Sequence, residues 1–183
     1  MIKEQLKKIE IGAVIKQDTS ENQVRSIYLG IGSNLGNKKS NIEKAKFQLF
    51  KKDIKILKCS SYYESPSWPD PSMPKFLNIV LEISTNLNPF KLLNTCKEIE
   101  IKLGRKKSAK NSPRECDIDI IDYNNKKTNG YITLPHPNMH TRNFVLFPLF
   151  EINKAWKHPI FKHDIKSLIM SLPNSDIRSI KQI

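Results

Sequence analysis

The chain has 183 residues, 38% hydrophobic and 27% charged, the make-up of a single soluble globular domain with a real core. Its formal net charge of +13 suits nucleic acid, a membrane surface or an anionic small substrate. The lysines form no block of five or more, so charge alone does not choose among these, and a polyphosphate gains from it as much as RNA does. No apolar run approaches the length of a membrane span, and Lys and Glu interrupt the N-terminal apolar residues, so neither a spanning helix nor a secretory leader is expected. Cys59, Cys96 and Cys116 make no CxxC pair and no zinc spacing, and are read as small core residues of a protein kept reduced in the cytoplasm.

In chain order, residues 1–25 carry a weak signal. Ile2, Leu6 and Ile9 have helical spacing, Ile11, Ala13 and Ile15 alternate, and a polar linker follows, so the segment is expected to be an appendage to a domain at 26–183. Ser26 to Ile31 predicts a strand running into Gly32-Ser33-Asn34-Leu35-Gly36. The glycines fit neither GxGxxG nor GxxxxGK[ST], which excludes a dinucleotide fingerprint and a Walker loop. Ser40-Asn41-Ile42-Glu43 reads as a capping box opening a helix with Ile42, Ala45 and Leu49 as its apolar stripe. Ile54 to Tyr63 alternates as a second strand. A proline-rich loop at 64–74 carries Trp68, which either serves the site or folds onto the core.

Phe76 to Ile83 predicts a third strand with Leu77, Ile79, Leu81 and Ile83 toward the core and Phe76, Asn78 and Val80 on the other face. An amide beside an aromatic could read a planar heterocycle, or Asn78 could satisfy a neighbouring loop. Asn88-Pro89 is an N-cap with proline at the first helical position, and Leu92, Cys96, Ile99 and Leu103 are the stripe of a helix ending at Gly104. The basic stretch Arg105 to Ser112 is either a loop that folds over phosphates or a solvated linker.

In the next strand, Asp117 and Asp119 share one face while Cys116, Ile118 and Ile120 share the other. Carboxylates roughly 6.5–7 Å apart along a strand can converge on one divalent ion or straddle two, and hard ions such as Mg²⁺ suit them. Arg114 adds a fork-shaped donor for phosphate. The alternative is a surface strand with solvated charges. Asn124-Asn125 and Asn129-Gly130 mark turns around a hairpin. His136 and His140, four apart, invite a zinc reading, which flanking prolines and the lack of a third ligand oppose. Val145 to Ile152 predicts an apolar helix, and Leu168 to Leu172 closes the core.

Six ordered blocks then stand out: GIGSNLG (30–36), SSYYESP (60–66), FLN (76–78), IEIKLGR (99–105), PRECDIDI (113–120) and LPHPNMHTRNFVLFPLFEI (134–152). Together, across about residues 26–173, they resemble 6-hydroxymethyl-7,8-dihydropterin pyrophosphokinase. The resemblance implies a ferredoxin-like α+β sandwich, a mostly antiparallel sheet packed with helices, and transfer of the pyrophosphoryl group of ATP to the pterin hydroxymethyl group in folate biosynthesis, with AMP released. It implies two Mg²⁺ ions on Asp117 and Asp119, with Arg105 and Arg114 completing the catalytic set. Ser65, Pro66, Trp68, Phe76, Asn78 and Phe144 would line the pterin pocket. Glu100, Lys107, Arg114, Ile120, Thr133, His136 and Arg142 would serve the nucleotide. The family usually has Trp-Gly-Pro-Arg where this chain has Asn111-Ser112-Pro113-Arg114, its lid is one residue longer, and it often has Tyr at Phe76.

A monomer acting on small molecules is expected, without nucleic acid or membrane. The rival is an RNA-binding module with the same sheet; it lacks an RNP1-like run, and Asp117 and Asp119 would repel a phosphate backbone.

Overall fold

The computed structural model describes residues 26–105 and 112–183. The expected appendage at 1–25 and most of the basic stretch, including Lys107, lie outside the described residues.

Strand β1 (Ile27–Ser33) leads to helix α1 (Lys38–Lys51), strands β2 (Lys55–Cys59), β3 (Tyr63–Ser65) and β4 (Phe76–Ser84), helix α2 (Pro89–Lys102) and strand β5 (Asp117–Tyr123). Helices α3 (Asn143–Ile152), α4 (Ile165–Met170) and α5 (Asn174–Ser179) and the short strand β6 (Lys181–Gln182) follow. The sheet order is β5-β1-β4-β3-β6, with β2 also on β4, and every pairing is antiparallel. Taking β2 and β3 as one interrupted strand, this is the βαββαβ order of a ferredoxin-like α+β sandwich.

Both faces of the central strands are covered, and the side chains divide by parity. Ile27, Leu29 and Ile31 of β1, with Leu77, Ile79, Leu81 and Ile83 of β4, join Ile42, Ala45 and Leu49 of α1 and Leu92, Cys96 and Ile99 of α2 in one core. Tyr28, Val80 and Ile121 point the other way, onto Val145, Leu146 and Leu149 of α3 and Ile165 and Leu168 of α4. The second core fades toward one end of the sheet, where the opposite-parity residues become glycine, asparagine and aspartate. The site lies there.

Several local expectations need correction. The N-cap of α1 is Asn37, whose side chain accepts from Ser40 N–H at 3.0 Å, so Ser40-Asn41-Ile42-Glu43 lies inside the helix and does not open it. The single strand expected over Ile54–Tyr63 is two. Cys59 pairs with Leu81 and Tyr63 with Asn78, one residue more on this side than on β4. At the break Ser60 N–H donates to Val80 O, while the Ser60 hydroxyl accepts from Val80 N–H at 3.0 Å. An earlier register shift between Ile56 and Lys58 disrupts the alternation, which leaves Cys59 exposed, not in the core. Cys96 and Cys116 are buried as expected, their thiols pushed up to about 12 by burial. Asn124 and Asn125 both take positive φ (52° and 56°), as a primed turn requires, but the hairpin beyond them reduces to one bridge, Thr128 with Leu134.

Among the described residues no three His, Cys, Asp or Glu side chains gather around His140 as a metal site would require. Its ring packs edge-on to Phe161 and His158. His158 is buried, and its Nδ1 accepts from the N–H groups of Ile160 and Phe161, both at 3.2 Å. Burial, with His140 and His163 nearby, pushes its pKa from 6.5 to about 4. The folded state therefore holds this imidazole neutral while the unfolded chain protonates it. The stabilisation is complete above about pH 6.5 and is lost as pH falls toward 4, amounting to about 3 kcal/mol at most. Urea unfolding at pH 7 and pH 4.5 should show a loss that is smaller in His158→Asn; equal losses would remove His158 as the cause.

Candidate active site

The site is built by strand register. Gly32 of β1 pairs with Asn78 on one side and Asp117 on the other; Gly30 pairs with Val80 and Asp119. Residues in register across antiparallel strands point to the same face, so Asn78, Gly32 and Asp117 form a row spanning about 10 Å, with the Asp119 row beside it. Glycine at the middle of that row leaves the floor open. A Cβ on Gly32 would stand 3.0 Å from Asn78 Oδ1 and 3.2 Å from the Phe76 ring. Gly32→Ala should therefore raise the KM of the ligand seated beside Asn78 by about tenfold and cost about 1–3 kcal/mol of stability through overpacking. Steady-state kinetics and denaturant unfolding check this, and wild-type values in both would contradict the tight floor.

A cavity of about 450 Å³ opens over this row. At one end stand Ser65, Pro66, Trp68, Phe76, Asn78 and Phe144. Asn78 is buried, and its Nδ2 donates to Ser65 Oγ (3.1 Å) and Tyr63 O (3.3 Å), which leaves Oδ1 turned over Gly32. It thus satisfies a neighbouring strand and faces the cavity at once. Trp68 is half exposed and lines the cavity instead of folding onto the core. The Arg142 guanidinium lies between two rings, 5.3 Å from the centroid of Trp68 and 5.6 Å from that of Phe144.

At the other end charge dominates. Asp117 Oδ1 receives Arg105 Nη1 at 2.7 Å and Arg114 Nη1 at 3.2 Å; Asp119 Oδ2 lies 3.4 Å from Arg142 Nη1 and 3.8 Å from His136 Nε2. His136 Nδ1 accepts from Asn138 N–H, its Nε2 lies 3.3 Å from Arg142 Nη1, and burial holds its pKa below the usual range. Beneath them Glu100 is 1% exposed: its Oε1 accepts from Ile118 N–H at 2.7 Å and its Oε2 pairs with Arg105 at 2.6 Å. Burial raises its pKa, opposed by the Ile118 N–H. The Nε atoms of Arg114 and Arg142 are buried with no acceptor among the described residues. Spare guanidinium donors around carboxylates fit an anionic ligand carrying a cation.

Two carboxylates in neighbouring positions on one strand face suit a hard divalent ion. The described residues hold no group of three His, Cys, Asp or Glu able to enclose one. An ion here would complete its shell with substrate oxygens and water, as Mg²⁺ commonly does.

A model of the family described as 7,8-dihydro-6-hydroxymethylpterin-pyrophosphokinase (HPPK) matches residues 28–154. The chain is 39% identical over 142 residues to the 2-amino-4-hydroxy-6-hydroxymethyldihydropteridine pyrophosphokinase of Aquifex aeolicus, covering 77% of this chain and 88% of that protein. The chain belongs to the HPPK family. This HPPK is therefore a pyrophosphokinase, an enzyme that moves a pyrophosphoryl group to 7,8-dihydro-6-hydroxymethylpterin, with ATP as co-substrate. The Bacillus subtilis protein of the same name is 37% identical over 127 residues, 68% of this chain and 76% of that one. The folic acid synthesis protein fol1 of Pneumocystis carinii is 37% identical over 164 residues, covering 88% of this HPPK but 22% of the longer protein. Among solved structures, Plasmodium falciparum HPPK-DHPS wild type with SDX-DHP matches with a TM-score of 0.65 and 16% identity, covering 87% of this chain and 47% of that one. That likeness concerns the fold.

Most residues singled out in the sequence of this HPPK meet in the one cavity. Asp117, Asp119, Arg105, Arg114, His136 and Arg142 line it, as do the six residues at its other end. Three do not. Thr133 is exposed and outside the lining, the Ile120 side chain is buried in the core under α1 and α2, and Glu100 stands behind the cavity wall. Lys107 lies outside the described residues. Sequence reasoning passed over Gly30, Gly32, Lys97 and Asn34. Glycines two apart inside a strand, facing the side opposite the apolar residues, are a signal that a ligand or backbone approaches closely there. Lys97 lines the cavity from α2 and is three residues before Glu100, to which it is hydrogen-bonded at 3.3 Å.

Proposed function

We propose that this chain carries out the transfer with the pterin at the Asn78 end of the cavity and the ATP phosphates over Asp117 and Asp119, giving AMP and the pterin diphosphate. The observation that carries this reading is the row Asn78–Gly32–Asp117, which puts a heterocycle-reading amide and a metal-binding carboxylate on one open floor. Asn78 Oδ1 accepts from the pterin edge, with Phe76, Trp68, Ser65 and Pro66 around the ring and Phe144 stacked on it. Asp117 faces the hydroxymethyl group. The pterin hydroxyl oxygen bonds to the β-phosphorus of ATP and gives up its proton to solvent, while the bond from that phosphorus to the α,β-bridging oxygen breaks and AMP leaves with the bridging oxygen.

Two Mg²⁺ ions on Asp117 and Asp119 would supply neutralisation of the phosphate charge that develops. Arg114, Arg142 and His136 hold phosphate oxygens, the two arginines through the Nη donors that now face Asp117 and Asp119. Arg105, anchored by Glu100, is placed to pass from Asp117 to phosphate when the ion takes that carboxylate. Lys107, Thr133 and the Ile120 backbone are assigned to the nucleotide on resemblance alone. Residues 26–183 are taken as the pyrophosphokinase domain and 1–25 as an appendage. A cytoplasmic monomer is the matching assignment; no described helix is long and apolar enough to cross a membrane.

Mass spectrometry of a reaction containing ATP, Mg²⁺ and the pterin alcohol tests the reading. AMP with a pterin two phosphates heavier supports it. ADP with a pterin monophosphate, or no turnover, contradicts it.

A further inference from the structure

We infer that Asn34 is a positioning residue that ties the loop at the pterin end of the cavity to Arg114 at the phosphate end, so that filling one end sets the other. The inference rests on the assignment of the two ends given above. Asn34 follows β1 directly and is 4% exposed. Its Oδ1 accepts from Arg114 N–H at 2.8 Å, and its own N–H donates to Arg114 O at 3.1 Å. Its Nδ2 turns the opposite way and donates to Pro74 O at 3.1 Å and Ser67 Oγ at 3.4 Å, while Ser67 Oγ donates to Pro74 O at 2.9 Å.

One buried amide thus has its acceptor end committed to the arginine segment and its donor end committed to the proline-rich loop. Arg114 reaches Asp117 on one side and lies 5.9 Å from the Phe76 ring centroid on the other. The loop from Ser67 to Pro74 follows Pro66 and contains Trp68, both in the cavity wall. A buried amide cannot follow one segment away from the other without leaving a polar atom unpaired. The two segments therefore keep a common register, and a ligand that orders one favours the ordered position of the other. Such coupling is reciprocal between the two ligands.

Calorimetry of the full chain tests this by measuring the Kd of the pterin alcohol with and without Mg²⁺ and the α,β-methylene analogue of ATP. The ratio of the two constants is the coupling factor, expected to be about 10 or more in the wild type. Asn34→Ala should bring it to about 1–2. Asn34→Asp keeps an oxygen for Arg114 N–H but offers no N–H to Pro74 O. It should lower the factor about as far while the analogue's own Kd changes by no more than about threefold. It decides the matter if the alanine variant does not fold. Asn41→Ala removes amide contacts to Leu35 O and Ser33 Oγ in the same loop and should leave the factor at its wild-type value. A wild-type factor near 1, Asn34 variants with the wild-type factor, or an equal fall in Asn41→Ala would each overturn the inference while leaving the proposed function standing. A wild type that binds neither ligand would overturn the proposed function itself, and the inference with it.

Discussion

Asp117→Ala and Asp119→Ala should each lower turnover by about a hundredfold or more while leaving the fold nearly as stable as before. The catalytic part follows from removing a carboxylate proposed to hold a cation where charge develops, a loss of several kcal/mol in the transition state. The stability part follows from exposure. The side chains of Asp117 and Asp119 are 24% and 36% exposed, and their ion pairs with Arg105, Arg114 and Arg142 are open to solvent and salt. Pairs of that kind contribute about 1 kcal/mol or less. Arg105 also keeps Glu100 as a partner when Asp117 is lost. Pterin affinity should fall less than turnover, and less in Asp119→Ala than in Asp117→Ala, because Asp117 stands in the same row as Asn78. Turnover, pterin titration and denaturant unfolding on the same preparations separate these effects. Near-normal turnover of Asp119→Ala at ordinary Mg²⁺ would remove that residue from the proposed metal site.

Loss of the pterin clamp should act on affinity. Phe144→Ala deletes a ring facing the cavity and should weaken pterin binding by about 1–3 kcal/mol through lost area and stacking. It also removes one of the rings flanking Arg142, so a smaller effect on ATP is expected. Asn78→Leu differs in kind. It removes the acceptor over Gly32 and also strands Ser65 Oγ and Tyr63 O, which now receive its Nδ2. Unpaired polar atoms on both ligand and protein should cost about 1–3 kcal/mol in binding, with a parallel loss of stability from the stranded Ser65 and Tyr63 groups. Calorimetric titration reads the first and urea unfolding the second. Unchanged pterin affinity in both variants would place the ring elsewhere.

The sequence spoke most clearly where a side-chain period met a uniform environment. The alternation in Phe76–Ile83 reports correctly that odd and even residues part, because α1 and α2 cover one face and α3 covers the other. Asp117 and Asp119 share a face because β5 is regular through them. The stripe Leu92, Cys96, Ile99 and the cap at Asn88 hold for the same reason: local geometry decided them. Ser60 and Asn37 show where that logic ends. A single extra residue at Ser60 is invisible to alternation because its hydroxyl replaces a backbone carbonyl in the ladder. At α1 the cap stands three residues before the start of the expected box, at Asn37, which follows Gly36 at a φ of 64°. Of the candidate site, the charged and aromatic residues were legible as residue types. Asn34 was not, since its role lies in contacts with segments 33 to 80 residues away.

The central claim is that the cavity presents the pterin hydroxymethyl oxygen to the β-phosphorus of ATP. Carrying out the reaction with a heavy-oxygen label in that hydroxyl tests it directly, by locating the label in the products. The geometry predicts that all of the label remains in the bridge between the pterin methylene and the first phosphorus, with unlabelled AMP. Label in AMP, or its loss to water, would show that a different bond is made and would contradict the arrangement of Asn78, Gly32 and Asp117 on one floor as the site of transfer.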